Sequence, residues 1–143
     1  MTEKQYEKIT VNLPAVDLGK IDYLVEQGFY NTRTEFIRTA IKNEIDKNAF
    51  VIDTVIQEES GKKGAYFGVG VIHIGRKELE NCVKQNKKVS VFTIGMIFIA
   101  KDVDVGLVKK TISSFKVYGI KKSWQRDKNI VEELPFTLTH GNV

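Results

Sequence analysis

Hydrophobic and polar residues alternate in a short run near the amino end of the chain. In KITVNLP the apolar positions are Ile9, Val11 and Leu13, and the polar positions are Lys8, Thr10 and Asn12. Successive side chains of a strand point to opposite faces, so the run predicts a strand with one apolar and one polar face. No other run nearby in the N-terminal half reads as a strand. The simplest partner is therefore the same strand of a second copy.

The period of the pattern then changes from two to that of a helix. Apolar residues predict a first helix from Val16 to about Gln27, which Gly28 ends as a C-cap. Thr32 and Glu35 have the spacing of a capping box, and apolar residues continue behind them. The second helix is therefore predicted from Arg33 to about Asp46.

The segment 49–64 is predicted as a helical extension that ends in a hinge. Its apolar residues are partly β-branched, so they fit either a longer helix or a separate short element. The run EESGKKG, residues 58–64, is polar with two glycines and is typical of a domain boundary. The chain is thus divided into residues 1–48, the hinge 49–64, a β/α domain at 65–134 and a tail at 135–143.

A weak repeat runs through the C-terminal domain. GVIHI at Gly70 resembles GMIFI at Gly95, and Gly119 ends a third strand-like stretch, so the glycines recur at intervals of 25 and 24 residues. Helical patterns at 77–87 and 103–111 lie between them, and apolar residues from Trp124 to Leu134 predict a last helix. The spacing fits a short solenoid of β–α units and equally an ordinary small α/β domain. The predicted fold class is α/β (α+β).

Charge and composition restrict the possible functions. The formal net charge is +4, but residues 1–50 hold seven Lys or Arg against eight Asp or Glu. A DNA-binding N-terminal domain would therefore rely on a few placed cations and helix ends. The polar start MTEKQYEK and the single cysteine favour a cytoplasmic setting, and no apolar run reaches the length of a membrane span.

The remaining chemistry-bearing residues predict structure more readily than catalysis. His73 fits a packed or a surface position, Cys82 fits a core position, and Asp102 and Asp104 fit helix caps. With two histidines and one cysteine, a zinc, nickel or copper site is not expected, which disfavours a metal-sensing regulator. No nucleophile, base and orienting residue have a recognisable spacing, so we expect neither an enzyme nor a cofactor.

Residues 7–47 resemble the ribbon-helix-helix family of bacterial and phage regulators of the Arc, MetJ and CopG type. The resemblance is carried by KITVNLP, by the first helix ending in Gly28 and by FYNTRTEFIRTAIKNEI. The C-terminal part resembles the uncharacterised extension of some CopG-type regulators. In this family two chains pair their N-terminal strands into an antiparallel ribbon, which enters the major groove of DNA above four helices.

The resemblance implies roles for thirteen residues. The base contacts would come from Lys8, Thr10 and Asn12. The phosphate contacts would come from Thr32, Arg33 and Thr34. The dimer core would consist of Ile9, Val11, Leu13, Phe36, Ile37, Ala40 and Ile41. Residues 1–48 would then be the domain for DNA binding and dimerisation.

The function expected from these features is that of a homodimeric, sequence-specific repressor bound to operator DNA at the nucleoid. The C-terminal domain would drive higher-order association or bind a partner. Two alternatives stay open: an antitoxin whose C-terminal part covers a partner protein, and a structural protein that polymerises through its repeats and attaches to DNA.

Overall fold

The computed structural model describes residues 6–123, and its elements are mixed helix and strand. The chain divides into two compact units between Val55 and Ile56, inside the third helix. The elements in order are α1 Ala15–Glu26, α2 Arg33–Lys47, α3 Ala49–Ser60, β1 Ala65–Ile74, α4 Arg76–Lys84, β2 Val89–Ile99, α5 Val105–Thr111 and β3 Ile112–Ser123. This composition fits the α+β class. The predicted last helix and the tail at 135–143 lie outside the described residues.

The first two helices begin and end within one residue of their predicted bounds. The N–H of Gly28 donates to the carbonyl of Val25, and the N–H of Phe29 donates to that of Leu24, both at 3.0 Å. With Gly28 at φ +82°, these two bonds form the Schellman arrangement that ends α1. The predicted C-cap is confirmed.

The segment 49–64 contains a helix rather than a separate strand or loop. α3 covers Ala49–Ser60 and follows α2 after Asn48. The hydroxyl of Thr54 donates to the carbonyl of Phe50 at 2.8 Å, so this polar side chain is satisfied inside the helix. The chain then turns through Gly61 and through Gly64, whose φ is +73°. The β-branched residues of this segment are therefore accommodated in a helix.

The second unit is a three-stranded parallel sheet whose strands lie in the order β1-β2-β3. Helices α4 and α5 make the crossovers, and they contribute Leu79, Cys82, Leu107 and Val108 to the buried core. Alternate residues of the strands face these helices, among them Val91 and Ile97 of β2, Phe115 and Val117 of β3. The predicted core position of Cys82 is confirmed, and His73 lies against Phe98 with ring centroids 5.1 Å apart.

The repeat found in the sequence corresponds to the register of this sheet. Gly70 pairs with Gly95, and Gly95 pairs with Gly119. All three have φ between +118° and +132°, a region open mainly to glycine. A Cβ atom at Gly95 would collide with the carbonyl of Gly70, and one at Gly119 with the carbonyl of Gly95. The spacing of 24 to 25 residues therefore equals one strand, one helix and their turns.

Candidate nucleic-acid interface

Residues 6–14, called the amino segment below, precede α1 and contain no helix or strand. Residues 6–14 form no strand pairing with any part of the chain that the structure describes, and Lys8, Thr10 and Asn12 are exposed. The strand predicted over Lys8–Leu13 is thus not formed within a single chain. The physical reason is that a strand needs a neighbour for its backbone N–H and C=O groups.

The apolar side of this segment is also uncovered in the single chain. The exposed fractions are 74 % for Ile9, 66 % for Val11 and 45 % for Leu13. Three apolar side chains at alternating positions are costly to leave in water, at about 25 cal/mol for each Å² of apolar surface. The segment therefore presents an apolar side that its own chain does not bury.

Helix α2 also leaves apolar side chains uncovered, on the face that is expected to lie in the dimer core. Phe36 is half-buried through an edge-on contact with Tyr30, with ring centroids 5.0 Å apart. Ile37 is 37 % exposed, Ile41 is 50 % exposed, and Ala40 is exposed as well. Among the described residues up to Val55, Ile21 alone is buried. The first unit therefore has almost no core of its own.

The start of α2 is capped as the sequence predicted, with one difference. The hydroxyl of Thr32 accepts a hydrogen bond from the N–H of Glu35 at 3.0 Å. The carboxylate of Glu35 accepts from the N–H of Asn31 at 2.7 Å, whereas a complete capping box would use the N–H of Thr32. The N–H groups of Arg33 and Thr34 occupy the first helical positions, which have no acceptor within the helix. They are exposed donors at the positive end of the helix dipole.

Arg33 is held by an ion pair that sequence reasoning did not foresee. Its guanidinium donates to both carboxylate oxygens of Asp22 on α1, and the Nη2–Oδ2 distance is 2.7 Å. The hydrogen bond from Arg33 is the main cause that lowers the pKa of Asp22, and the same bond raises the pKa of Arg33. Both side chains are about half exposed. Arg33 thus joins α1 to α2 at the site where phosphate contact was predicted.

A second contact that the sequence did not reveal involves the amino segment itself. The guanidinium of Arg38 lies over the ring of Tyr6, 5.5 Å from its centroid. Such a cation–π contact attracts the segment towards α2. Neither the Arg33–Asp22 pair nor the Arg38–Tyr6 pair could be predicted from local spacing, because the paired residues are more than ten positions apart in the sequence.

Residues 6–123 contain no group of three or more His, Cys, Asp or Glu side chains placed to hold a metal ion. None of the helices in this range has the length and apolar character needed to cross a bilayer.

Comparison with known proteins identifies the family. The sequence model of the Ribbon-Helix-Helix transcriptional regulator family matches residues 4–127, which include the amino segment, all three N-terminal helices and the whole sheet. No curated protein and no solved structure matches the chain.

Proposed function

Because the chain belongs to the ribbon-helix-helix transcriptional regulator family, we propose that it is a homodimeric, sequence-specific repressor that reads operator DNA in the major groove. The observation that carries this proposal is the amino segment, which is unpaired in the single chain and has exposed apolar and polar positions in strict alternation. When two such segments pair antiparallel, the backbone N–H and C=O groups of each form hydrogen bonds with the other, and the ribbon turns one face towards DNA.

The polar positions have the chemistry that base recognition needs. Lys8 can donate to O6 or N7 of guanine, and Asn12 can pair with N6 and N7 of adenine. The hydroxyl of Thr10 can bond to a base edge, and its methyl group can contact that of thymine. A ribbon made from two chains presents six such side chains, which is enough to read a short two-fold symmetric sequence.

The start of α2 supplies the phosphate contacts in this proposal. The free N–H groups at Arg33 and Thr34 and the positive helix end attract a phosphate without a large net charge. The hydroxyl oxygen of Thr32 accepts the cap hydrogen bond, so its hydroxyl hydrogen is left to donate to a phosphate oxygen. Arg33 reaches phosphate only by exchanging Asp22 for it.

Dimerisation follows from the missing core of the first unit. A segment of about fifty residues buries too small a fraction of its apolar surface to be stable alone. The seven expected core residues of the amino segment and α2 are exposed or half-buried in the single chain. Their burial against the same residues of a second copy supplies the core that each chain lacks.

We further propose that the second unit joins copies of the protein through the outer edge of β1. This strand of ten residues, AYFGVGVIHI, carries no Lys, Arg, Asp or Glu, and Val69 is 59 % exposed. Charged residues normally protect an edge strand, and β3, the other edge strand of the sheet, carries Lys116 and Lys121. An antitoxin tail is typically disordered until it is bound, so the ordered sheet does not favour that alternative.

Selection from a random pool of duplex DNA with the full-length protein tests the function. The expected result is an enriched motif with two-fold symmetry. The matched control is the variant with alanine at Lys8, Thr10 and Asn12, which should enrich no motif although it still dimerises. Absence of any motif with the unaltered protein would contradict sequence-specific binding.

A further inference from the structure

We propose that the second unit carries its own binding site for the phosphate backbone of duplex DNA, formed by Lys84, Lys87, Lys88 and Lys110. These four residues are called the lysine patch below. The inference rests on the proposed DNA-binding function, but it concerns a surface that the ribbon does not include. All four side chains are exposed.

The end of α4 brings three of these lysines together. The N–H of Asn86 donates to the carbonyl of Val83, and the N–H of Lys87 donates to that of Cys82. Asn86 has a φ of +50°, the left-handed conformation that ends a helix in a Schellman motif. This reversal of the chain directs Lys87 and Lys88 back beside the last turn of α4.

The fourth lysine comes from the neighbouring helix α5. A hollow of about 440 Å³ is lined by Cys82, Val83, Asn86, Lys87, Lys88 and Lys110 and contains no carboxylate in its lining. A second hollow of about 500 Å³ shares Val83 and Lys110 with the first and adds Lys84. The patch therefore surrounds two adjoining concave surfaces.

The lining of the second hollow also includes two carboxylates, those of Glu80 and Asp104, which share one guanidinium. Arg76 bonds to Glu80 at 2.7 Å and to Asp104 at 3.3 Å. It also donates to the carbonyl of Asp102 at 2.6 Å, which fixes its position between α4 and α5. None of the four lysines takes part in an ion pair with any residue in the described range. The first hollow therefore has three lysines and no carboxylate, whereas the carboxylates of the second hollow are both paired with Arg76.

Helix ends explain only part of this arrangement. Lys84 and Lys110 lie in the last turns of their helices, where a positive charge stabilises the negative end of the dipole. Lys87 and Lys88 lie beyond α4 and have no such role. Like charges held close together repel one another, and a polyanion relieves that repulsion.

Duplex DNA is the polyanion that fits the rest of the molecule. Its backbone presents a charge about every 1.7 Å along the helix axis, so several lysines can be neutralised at once. A regulator that is already held on DNA by its ribbon meets flanking phosphates at high local concentration. The lysine patch would add affinity that is independent of base sequence.

The test compares two charge variants of the full-length protein. In the first variant, Lys84→Gln, Lys87→Gln, Lys88→Gln and Lys110→Gln are combined. In the matched control, Lys62→Gln, Lys63→Gln, Lys77→Gln and Lys116→Gln remove the same number of charges elsewhere in the second unit. Binding to a long duplex is measured as a function of salt concentration.

The first variant should bind more weakly, with a shallower salt dependence. Each lost phosphate contact lowers the slope of log K against log salt by about 0.9, so the loss from two chains is up to about 7. The control should keep the slope, and arginine at all four patch positions should keep it too. An equal loss in both glutamine variants would contradict a specific patch.

Lysine acetylation of the unaltered protein provides a readout that does not depend on folding of a variant. Bound DNA should protect Lys84, Lys87, Lys88 and Lys110 from reaction, whereas inorganic phosphate at equal phosphate concentration should protect them much less. Protection by phosphate alone, or no protection by DNA, overturns the inference. The proposed function itself is judged separately, by the enrichment of a symmetric motif.

Discussion

Arg33 at the start of α2 forms a two-point ion pair with Asp22 on α1. The guanidinium is therefore not free at the position where the family resemblance places a phosphate contact. This pair connects the two helices, and it also makes each phosphate contact by Arg33 an exchange of one anion for another. In the proposed complex with DNA, the pair would moderate binding.

Asp22→Asn should increase the affinity for DNA of any sequence, because Arg33 then binds phosphate without losing a carboxylate. Since the same phosphate contact forms in both proteins, the affinity should rise while the slope of log K against log salt stays about the same. Salt titrations of binding measure both quantities. Glu26→Gln, on the same helix, removes the same charge without releasing Arg33 and is the control. An affinity gain no larger than that of Glu26→Gln would show that Arg33 does not reach phosphate.

The pH dependence of this pair has a defined sign. Arg33 lowers the pKa of Asp22 below its usual value of 3.8, so the carboxylate stays charged down to more acidic pH than in the unfolded chain. The stabilisation is present above the unfolded pKa and is lost as the pH falls through the folded pKa. We therefore expect the affinity gain of Asp22→Asn to be constant between about pH 6 and 8. A gain that changes across this range would indicate a different titrating group.

Asn12→Ala should leave dimerisation intact and weaken binding to the selected operator by about 1–3 kcal/mol, the value expected for a bidentate base contact. Binding to random DNA should change much less. Asn43→Ala on the exposed side of α2 is the matched control and should have no effect on either DNA. Equal losses on both kinds of DNA would show that Asn12 does not read sequence.

Ile37→Asp should abolish the dimer, because an unpaired carboxylate buried in the shared core costs several kcal/mol. Sedimentation of the full-length variant measures the loss. Lys42→Gln lowers the charge of α2 by the same one unit at an exposed residue outside the expected core, and it should leave the dimer unchanged. A folded dimer of Ile37→Asp would contradict the assignment of this face to the interface.

The glycine register of the sheet predicts two different losses of stability. Gly70→Ala imposes a strained φ of +118° in open space, which costs of the order of 1–3 kcal/mol. Gly95→Ala adds a collision with the carbonyl of Gly70 to a similar strain, so it should destabilise the second unit more. Chemical unfolding of both variants gives the comparison. Equal losses would mean that the strands do not approach each other closely at this register.

Local patterns in the sequence were sufficient for the first two helices, but not for the strands or for the contacts between elements. The bounds of α1 and α2 followed from the apolar period, from Gly28 and from the Thr32 cap, which are all local signals. The spacing of Gly70, Gly95 and Gly119 matches the register of the sheet. The same spacing could also arise by coincidence in the sequence, and only the structure shows that the three glycines pair side by side in parallel strands. The strands proved longer than the sequence indicated, because Gly70, Gly95 and Gly119 lie within the three strands and do not end them.

For the candidate nucleic-acid interface, the sequence indicated which residues to consider, but it did not indicate which side chains they contact. Alternation placed Lys8, Thr10 and Asn12 on one face of a predicted strand, the family resemblance implied their base contacts, and all three are exposed in the structure. The pairing of Arg33 with Asp22 depends on the angle between two helices, which no spacing in the sequence reports. The lysine patch depends likewise on how α4 and α5 lie together.

The central claim is that two chains pair their amino segments into one ribbon, and an inter-chain distance tests it most directly. A spin label at Thr10→Cys, with Cys82→Ser to remove the native thiol, lies near the middle of the predicted strand. Neighbouring strands are about 5 Å apart and each residue of offset adds about 3.3 Å, so the account predicts one narrow inter-label distance below about 20 Å. Labels that show no coupling between chains in the full-length protein, or a segment paired with the sheet of its own chain, would contradict it.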